Sequence, residues 1–592
     1  MNTLLLDFNE LSPQGETFDV VVIGAGGAGL SAALFAAIDG ARVLLVERTQ
    51  YVGGTTALSA GTTWIPGTSH AAAVSQGDTI DIAGGFLRRA IGDRTPEAMR
   101  RVLLETGPTA VAHVEANSEL KYRPFPTHPD YMTELEGSTM RGRAIEALPF
   151  DGRKLGSLFA LLRPPIPEFT ALGGMMVDRN DIFHLLRITQ SWASFRYSAK
   201  IIGRHVVDRL RYPRGTRLVM GNALIARLLH SLAQRKNVAL LVNTTVEQIA
   251  ADRDGVKTVT LGQGSQRRTI TVKGGVILAS GGFNRHPRLR ATMLPGVDIA
   301  WCPGAPGHTG DAHDLALALG AHYGTGALSN SYWAPVSIRT RPDGSKAVFP
   351  HFVMDRGKPG MITVNKAGRR FVNESTSYHL FAIAMQRTHP TTSSIPAFLI
   401  ADADALRKYG MGMVRPGGKG LAPFLADGYL TRADTLAELA AKLGVEANGL
   451  QETVARINEY ATTGIDPEFQ RGTTDYQRHN GDPAWPGPNP NLGPLRQSPF
   501  YAVRLYPGDI GAATGLATDT SARVLGAADA PIAGLYACGN DMHSVMGGVY
   551  MAPGITIGPG LVFAYIAGRH AAQRAAATAS PETHSATIDQ PG

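Results

Sequence analysis

Short apolar runs alternate with helical patterns in the first part of the chain. The run 18–23 is long enough for a buried parallel strand, and an alanine-rich helical pattern over 30–38 and a second apolar run over 41–46 follow it. Further apolar runs at 238–242 and 276–279 have the same character. Strands that alternate with helices in this way predict an α/β fold with a Rossmann-like sheet.

A different pattern covers 181–211, where apolar residues recur at helical spacing among many basic residues. It predicts one basic amphipathic helix. Such a helix either packs on its own domain with a solvated basic face or lies on an anionic membrane surface, and the sequence leaves both open. The apolar positions are Leu185, Ile188, Trp192, Phe195, Ala199, Ile202 and Val206. The basic positions are Arg187, Arg196, Lys200, Arg204, Arg209 and Arg211.

The composition is that of a packed globular protein, with 592 residues, 44% of them hydrophobic and 18% charged. Cys302 and Cys538 are the only cysteines, so we expect no disulfide framework and a reducing, cytoplasmic compartment. We expect no secretory leader, and no apolar run reaches the ~18 residues of a spanning helix. The net charge of +8 would suit nucleic acid, but no Lys/Arg run or zinc-ligand spacing supports that partner or a metal site.

A glycine-rich turn joins the first predicted strand to the first helix. It reads Gly24-Ala-Gly26-Gly-Ala-Gly29, and an acid, Glu47, ends the second strand 18 residues after Gly29. The glycines permit a tight turn, close approach of a pyrophosphate and close helix–strand packing, while the acid suits a ribose hydroxyl. This context predicts a dinucleotide site at Gly24, Gly26, Gly27, Ala28, Gly29, Glu47 and Arg48.

The next segment, 53–64, reads GGTTALSAGTTW, and its small and hydroxyl residues leave room for a bulky flat ring. It resembles the second FAD-contacting loop of the fumarate reductase/succinate dehydrogenase flavoprotein superfamily and is most similar to that of the 3-ketosteroid dehydrogenases. The resemblance implies FAD, which we expect to be non-covalent because the nearest histidine is His70. The implied contacts in this loop are Gly53, Gly54, Thr55, Thr56, Ser59, Ala60 and Gly61.

The resemblance covers most of the chain apart from 157–220 and the tail. It implies that the backbone of Val246 meets the adenine, that the turn after 276–279 lies near the pyrophosphate, and that the segment 309–311 lies near the cofactor. The further FAD contacts that it implies are Val246, Ala279, Gly281, Asn284, Asp311, Gly539, Asn540, Gly554, Thr556 and Ile557.

The stretch 543–560 is a glycine-rich turn that opens a helix. The first-turn N–H groups of a helix have no partner within it, and here Tyr550 lies four residues before Gly554. A phenol and a free N–H so close together can both reach one carbonyl oxygen. Similar segments of 3-ketosteroid Δ1-dehydrogenases hold the C3 carbonyl of the steroid, which implies this role for Tyr550 and Gly554.

Two more tyrosines match active-site positions of that family. Tyr131 lies in a Pro-Asp-Tyr segment, with Tyr122 as the weaker alternative. Tyr378 follows Gly368-Arg-Arg-Phe-Val-Asn-Glu374, an element of the superfamily. The resemblance implies that Tyr378 takes the C2 proton and that Tyr131 is its hydrogen-bond partner.

The implied reaction is FAD-dependent removal of hydrogen from C1 and C2 of a 3-ketosteroid. A 3-keto-5α-steroid Δ4-dehydrogenase has the same needs and stays open. A fumarate-reductase-like enzyme would bind its carboxylate through Arg, but residues 539–560 contain no Arg, only His543. A flavin-bearing electron carrier without a substrate of its own is disfavoured by the three tyrosines.

We therefore predict a Rossmann-like FAD-binding domain with an inserted α+β catalytic (cap) domain. The FAD-binding domain comprises 1–300, including an insertion at 157–220, and 481–575. The catalytic domain comprises 301–480, and 576–592 form a flexible tail. The expected partners are a 3-ketosteroid and an electron acceptor, either a quinone or an electron-transfer protein. Contact with the cytoplasmic face of a membrane is a further hypothesis, and the sequence does not give the oligomeric state.

Overall fold

A computed structural model describes residues 4–12, 15–75, 77–352 and 355–579. The strands are β1 (Thr17–Ile23), β2 (Val43–Val46), β3 (Thr63–Trp64), β4 (Tyr122–Pro124), β5 (Ala144–Ala147), β6 (Phe150–Asp151), β7 (Thr170–Ala171), β8 (Met175–Met176), β9 (Arg217–Leu218), β10 (Val238–Leu241), β11 (Thr245–Asp252), β12 (Gly255–Gln263), β13 (Gln266–Leu278), β14 (Ser331–Thr340), β15 (Lys346–Pro350), β16 (Met361–Val364), β17 (Ala397–Ala401), β18 (Thr431–Ala433), β19 (Phe500–Ala512), β20 (Arg523–Leu525) and β21 (Pro531–Ala537).

The helices are α1 (Gly27–Ile38), α2 (Ser69–Ala72), α3 (Ile80–Ile91), α4 (Glu97–Asn117), α5 (Arg179–Leu186), α6 (Trp192–Arg209), α7 (Met220–Ala233), α8 (Pro287–Met293), α9 (Asp311–Ala318), α10 (Tyr378–Thr392), α11 (Ala403–Tyr409), α12 (Ala422–Ala426), α13 (Leu436–Leu443), α14 (Ala447–Thr463), α15 (Asp475–Asn480) and α16 (Ile557–Ala579). Within the described residues, no helix is both long and apolar enough to span a membrane.

The first sheet is the Rossmann-like sheet that the apolar runs predict. Strands β10, β2, β1, β13 and β21 lie side by side in parallel. The first half of β13 continues into an antiparallel meander with β12 and β11. The central strands are almost entirely Val, Ile and Leu because both faces of a parallel sheet are covered.

Helices α1 and α16 cover one face of this sheet and pack closely on each other. A Cβ atom at Gly568 of α16 would lie 2.7 Å from the carbonyl oxygen of Ala32 on α1, so only glycine permits this crossing. At the first turn of α16, a Cβ at Gly560 would lie 3.7 Å from Cβ of Ala28. The amino-terminal ends of the two helices are therefore neighbours, and this brings two sets of unpaired N–H groups together.

The second sheet is antiparallel, in the order β15-β14-β19-β17-β16, with β18 also paired to β19. Its strands lie between Ser331, where β14 begins, and Ala512, where β19 ends, and the predicted domain boundaries stay predictions. Before β14, helix α9 packs on β11 of the first sheet. The Pro/Gly-rich stretch 482–494 contacts the segment before β16, where Asn491 donates to the carbonyl oxygen of Gly357 (3.0 Å).

Residues 181–211 form two helices where the sequence predicts one. Helix α5 ends at Leu186, and Ser191 has extended backbone angles before α6 begins. The two helices pack on each other, with the rings of His184 and Tyr197 stacked at 4.4 Å. The predicted tail begins inside α16, which reaches Ala579, and residues 580–592 lie outside the described residues.

Candidate active site

The parallel strands end at one edge of the first sheet, and each is followed by a turn. Strand β1 leads into Gly24, β2 into Glu47, β13 into 279–281, and β21 into 538–540. Because the strands are parallel, these turns meet, as they do wherever a doubly wound sheet binds a ligand. A cavity of about 500 Å³ begins at this edge and extends to the second sheet.

Most residues predicted to contact FAD line this cavity. They are Gly24, Gly26, Gly27, Ala28, Glu47, Arg48, Gly54, Thr55, Thr56, Ser59, Ala60, Gly61, Val246, Ala279, Gly281, Asp311, Gly539, Asn540, Gly554, Thr556 and Ile557.

Three predicted FAD contacts do not line it. A Cβ at Gly29 would lie 1.8 Å from the carbonyl oxygen of Gly24, and the role of Gly29 is therefore to let α1 pack on β1. Gly53 has φ +116 and is packed against Ala57. Asn284 is buried and donates to the Asp509 carboxylate (2.8 Å), and its contact with FAD stays a prediction.

The lining fits a dinucleotide. A Cβ at Gly26 would meet no atom within 4 Å, which shows that the backbone of this turn faces open space. The Glu47 carboxylate accepts N–H groups from Ala25 and Thr49 (both 2.9 Å), and this holds it at the cavity edge. His308 also lines the cavity, and its Nδ1 is buried with no hydrogen-bond partner among the described residues. A bound FAD would fill the space at the Gly26 turn and offer a hydrogen-bond partner to His308.

The three predicted catalytic tyrosines come together at the other end of the cavity. Their rings lie in contact, with centroids 5.4 Å apart for Tyr131 and Tyr378, 5.1 Å for Tyr378 and Tyr550, and 5.9 Å for Tyr131 and Tyr550. The hydroxyl oxygens of Tyr131 and Tyr378 are 3.3 Å apart, within hydrogen-bond reach. We call Tyr131, Tyr378 and Tyr550 the tyrosine cluster.

Gly554 lies beside the cluster at the turn before α16. It has φ +85, and a Cβ there would lie 2.5 Å from the carbonyl oxygen of Thr62. Its own carbonyl oxygen accepts the N–H groups of Trp64 (3.2 Å) and Gly558 (2.9 Å). Its N–H donates no hydrogen bond to any described residue. A phenol and a free N–H donor therefore face the same cavity.

Comparison with known proteins identifies the family. The FAD binding domain family matches residues 19–557. A 3-oxosteroid 1-dehydrogenase of Mycolicibacterium smegmatis is 36% identical over 95% of this chain and 99% of its own. The chain belongs to this family of FAD-dependent dehydrogenases.

Two further relatives frame the substrate question. A 4-oxocyclohex-2-ene-1-carboxylate 5-dehydrogenase of Sinomonas cyclohexanicum is 37% identical over 94% of both chains. A 3-ketosteroid Δ1-dehydrogenase of Sterolibacterium denitrificans, solved with 1,4-androstadiene-3,17-dione, is 34% identical and superposes with a TM-score of 0.87 over 94% of this chain and all of its own. The flavoenzyme described here is therefore similar both to steroid dehydrogenases and to a dehydrogenase of a small oxo acid.

Backbone hydrogen bonds at the tyrosines, or at the residues next to them, position the cluster. The N–H of Tyr131 donates to the carbonyl of Met551 (2.7 Å), which ties the 131 loop to the turn before α16. His379, next to Tyr378, donates from Nε2 to the carbonyl of Gly548 (3.1 Å) and accepts the N–H of Trp333 at Nδ1 (3.2 Å). Burial lowers the pKa of His379 to about 3, which keeps this histidine neutral in a structural role.

The phenols of the cluster are protonated at rest. Burial raises the pKa of Tyr378 well above 10, and the neighbouring Tyr131 and Tyr550 raise it further. Burial raises the pKa of Tyr131 in the same way. Burial also raises the pKa of Tyr550, while hydrogen bonds with Tyr378 and Thr556 lower it.

The structure adds residues that the sequence alone does not single out. Tyr332, Phe352 and Tyr476 contact the cluster, with ring centroids 4.9 to 5.1 Å from one of its members. Arg179 lines the cavity from the insertion. Tyr122, the weaker alternative to Tyr131, is not part of the lining. The roles assigned to Tyr131, Tyr378, Tyr550 and Gly554 stay predictions.

Proposed function

We propose that this flavoenzyme desaturates the C1–C2 bond of a 3-ketosteroid. The observation that carries the proposal is the convergence of three buried phenols and the free N–H of Gly554 on one cavity beside the dinucleotide lining. Relatives named 3-oxosteroid 1-dehydrogenase support the choice of substrate.

The ketone oxygen accepts two hydrogen bonds, from the Tyr550 hydroxyl and the Gly554 N–H. These donors stabilise the negative charge that develops on the oxygen when the C2 proton leaves. The Gly554 N–H is held in place by backbone packing, so it needs no reorganisation during the reaction. Neutral phenols also suit an apolar cavity better than carboxylates, because an unpaired buried carboxylate is costly.

Tyr378 takes the C2 proton, and Tyr131 donates a hydrogen bond to the Tyr378 oxygen as it does so. The raised pKa of Tyr378 makes its phenolate scarce at neutral pH, but a strong base once formed. At rest the neighbouring Tyr131 raises this pKa, so Tyr131 stabilises the anion only when its hydroxyl donates to the Tyr378 oxygen. Nearby Arg179 favours the phenolate of Tyr131 and lowers its pKa in part.

The turns at the edge of the first sheet would hold FAD, which would supply the acceptor for the hydride that leaves C1. Two electrons must then leave the protein before the next turnover. We propose a quinone or an electron-transfer protein as their acceptor.

A 4-oxocyclohexanecarboxylate is the second candidate substrate. The relative from Sinomonas cyclohexanicum supports it, since its named substrate is also a ring ketone. In the cavity, the Arg179 guanidinium has no ion pair with any described residue, and it stacks over the ring of Phe125 at 5.9 Å. His128 lines the same region. An unpaired cation there suits a carboxylate on the substrate.

Anaerobic flavin reduction decides among these substrates. We expect androst-4-ene-3,17-dione to bleach the main visible flavin band and to yield a 1,4-dien-3-one by mass and NMR. Bleaching only by a 5α-saturated 3-ketosteroid, with a 4-ene product, would assign the Δ4 reaction instead. Bleaching only by 4-oxocyclohexanecarboxylate would assign the small oxo acid. No bleaching with any ring ketone would refute the assignment of the cavity.

A further inference from the structure

Exposed apolar side chains are concentrated in one part of the molecule. Of the fifteen large hydrophobic residues that are exposed among the described residues, nine lie between 172 and 210. Single exposed hydrophobics are ordinary, but nine of them within 172–210 indicate a candidate binding surface. The nine are Leu172, Ile182, Phe183, Leu186, Trp192, Phe195, Val206, Val207 and Leu210, and we call them the insertion surface.

Helix α6 presents this surface because it is packed with its polar side inward. Its buried residues are mostly Ser194, Ser198, His205 and Asp208, with Ile201 as the one large apolar member. Asp208 accepts the N–H of Thr216 (2.8 Å) and His205 Nε2 bonds to the Leu172 carbonyl (2.9 Å), whereas Ser198 Oγ and His205 Nδ1 are buried without a partner among the described residues. At 3.6 residues per turn, Trp192, Phe195, Val206 and Leu210 lie roughly 150° around the helix from this buried stripe.

The exposed apolar residues of α6 extend along the whole helix. Trp192 is 71% exposed and Leu210 is 80% exposed, at opposite ends of α6. The rings of Trp192 and Phe195 stack on each other at 5.2 Å, so they are ordered although they face outward. A helix that turns polar side chains toward the protein and Trp, Phe, Val and Leu outward is suited to an apolar environment on that side.

Basic side chains surround the insertion surface. Arg187, Arg196, Lys200, Arg209 and Arg211 are exposed, and none forms an ion pair with a described residue. The acids within 179–211 are Asp181 and Asp208, and both are buried. The surface therefore combines apolar area with unpaired positive charge, as interfacial helices on anionic lipid do.

We propose that the insertion surface binds an anionic lipid bilayer. A second copy of the chain fits less well, because a two-fold contact of this surface with itself would bring both sets of five unpaired cations together. The cavity adds a second argument. Ile182 lines the cavity, while Phe183 and Leu186 on the same helix belong to the outer surface. On the proposed function above, an apolar ketone could thus pass from lipid into the cavity without crossing water.

Vesicle flotation with the FAD-loaded protein tests this. We expect binding to vesicles that contain phosphatidylglycerol, weak binding to pure phosphatidylcholine, and loss of binding in high salt. The double variant Trp192→Ser/Leu210→Ser should bind at least about tenfold more weakly, since it removes two apolar anchors. Arg196→Gln/Lys200→Gln should weaken binding by about fivefold or more, by removing charge alone. Ile465→Ser is the matched control, because Ile465 is 68% exposed elsewhere.

Fluorescence gives a second reading. Trp192 is the one exposed tryptophan of the five, so its emission should shift to shorter wavelength on vesicle addition. Trp192→Phe should lose the shift and keep flotation.

Unchanged flotation of the Trp192→Ser/Leu210→Ser protein would overturn the proposal. The proposal would also be overturned if the wild-type protein bound no vesicles and formed a dimer that the double variant converts to a monomer. Flavin reduction by dissolved substrate should be equal in all these proteins, so failure of the surface and failure of the proposed reaction are distinguishable.

Discussion

The two ends of the cavity are built in opposite ways. At the first sheet, the turns 24–29, 53–61, 279–281 and 538–540, which we call the nucleotide cradle, face the cavity largely through backbone and small side chains. At the other end, the tyrosine cluster acts through three side chains that are hundreds of residues apart in sequence. Changes in the cradle should therefore alter cofactor loading, whereas changes in the cluster should alter turnover of a loaded enzyme.

The broadest expected effect is that of Gly24→Ala, because a loss of FAD removes every activity that depends on it. Gly24 has φ +101, and the new Cβ would lie 2.4 Å from the carbonyl oxygen of Ala279, at the end of the neighbouring strand. Backbone strain of about 1–3 kcal/mol and a displaced strand end should reduce the FAD content at least about tenfold. The ratio of flavin to protein absorbance after purification measures this.

Gly40→Ala is the control for that prediction. Gly40 has a similar φ, +89, but its Cβ would meet no atom within 4 Å. It carries the same backbone strain without the clash and should keep its FAD. Equal loading of both variants would show that the cradle does not depend on close backbone approach at Gly24.

A narrower effect, confined to turnover of the loaded enzyme, is expected for Tyr378→Phe. This variant should load FAD normally, because Tyr378 belongs to the cluster and to α10 of the second domain. Loss of the base should slow flavin reduction by about 10²–10⁴. Tyr476→Phe is the matched control, since the Tyr476 hydroxyl is in the same cluster of rings but has no hydrogen-bond partner among the described residues. Stopped-flow reduction by androst-4-ene-3,17-dione measures both.

The pH dependence sharpens this test. The pKa of Tyr378 is raised, so the phenolate fraction grows with pH throughout the neutral and mildly alkaline range. The reduction rate should therefore rise by up to about tenfold per pH unit with no plateau below pH ~9. The residual rate of Tyr378→Phe should lack this slope. A wild-type rate that is flat between neutral and alkaline pH would exclude a phenol as the base.

The sequence predicts the cradle better than the cluster because the cradle is local. A glycine turn after each apolar strand is visible in consecutive residues, and the parallel sheet brings the turns together. Asn284 lies outside the cavity lining, and its pairing with Asp509, which the sequence does not show, joins two segments 225 residues apart. Only the family resemblance predicts the tyrosines, because the separations of 131, 378 and 550 in the sequence do not indicate that they meet. Tyr332, Tyr476 and Arg179 join them only through tertiary packing. The insertion was assigned to one helix because periodicity does not show the turn at 187–191.

The smallest effect is expected from replacing Arg179, which lines the cavity outside both the cradle and the cluster. Arg179→Gln should leave FAD content and reduction by the neutral androst-4-ene-3,17-dione within about twofold of wild type. If the substrate carries a carboxylate, kcat/KM for 4-oxocyclohexanecarboxylate should fall about tenfold or more, because a charge-assisted hydrogen bond is lost. Arg209→Gln is the control, as Arg209 is an exposed arginine outside the cavity lining. A fall in kcat/KM with both substrates would instead mean that Arg179 acts by lowering the pKa of Tyr131. Arg179 would then support the tyrosine cluster and would not bind a substrate carboxylate.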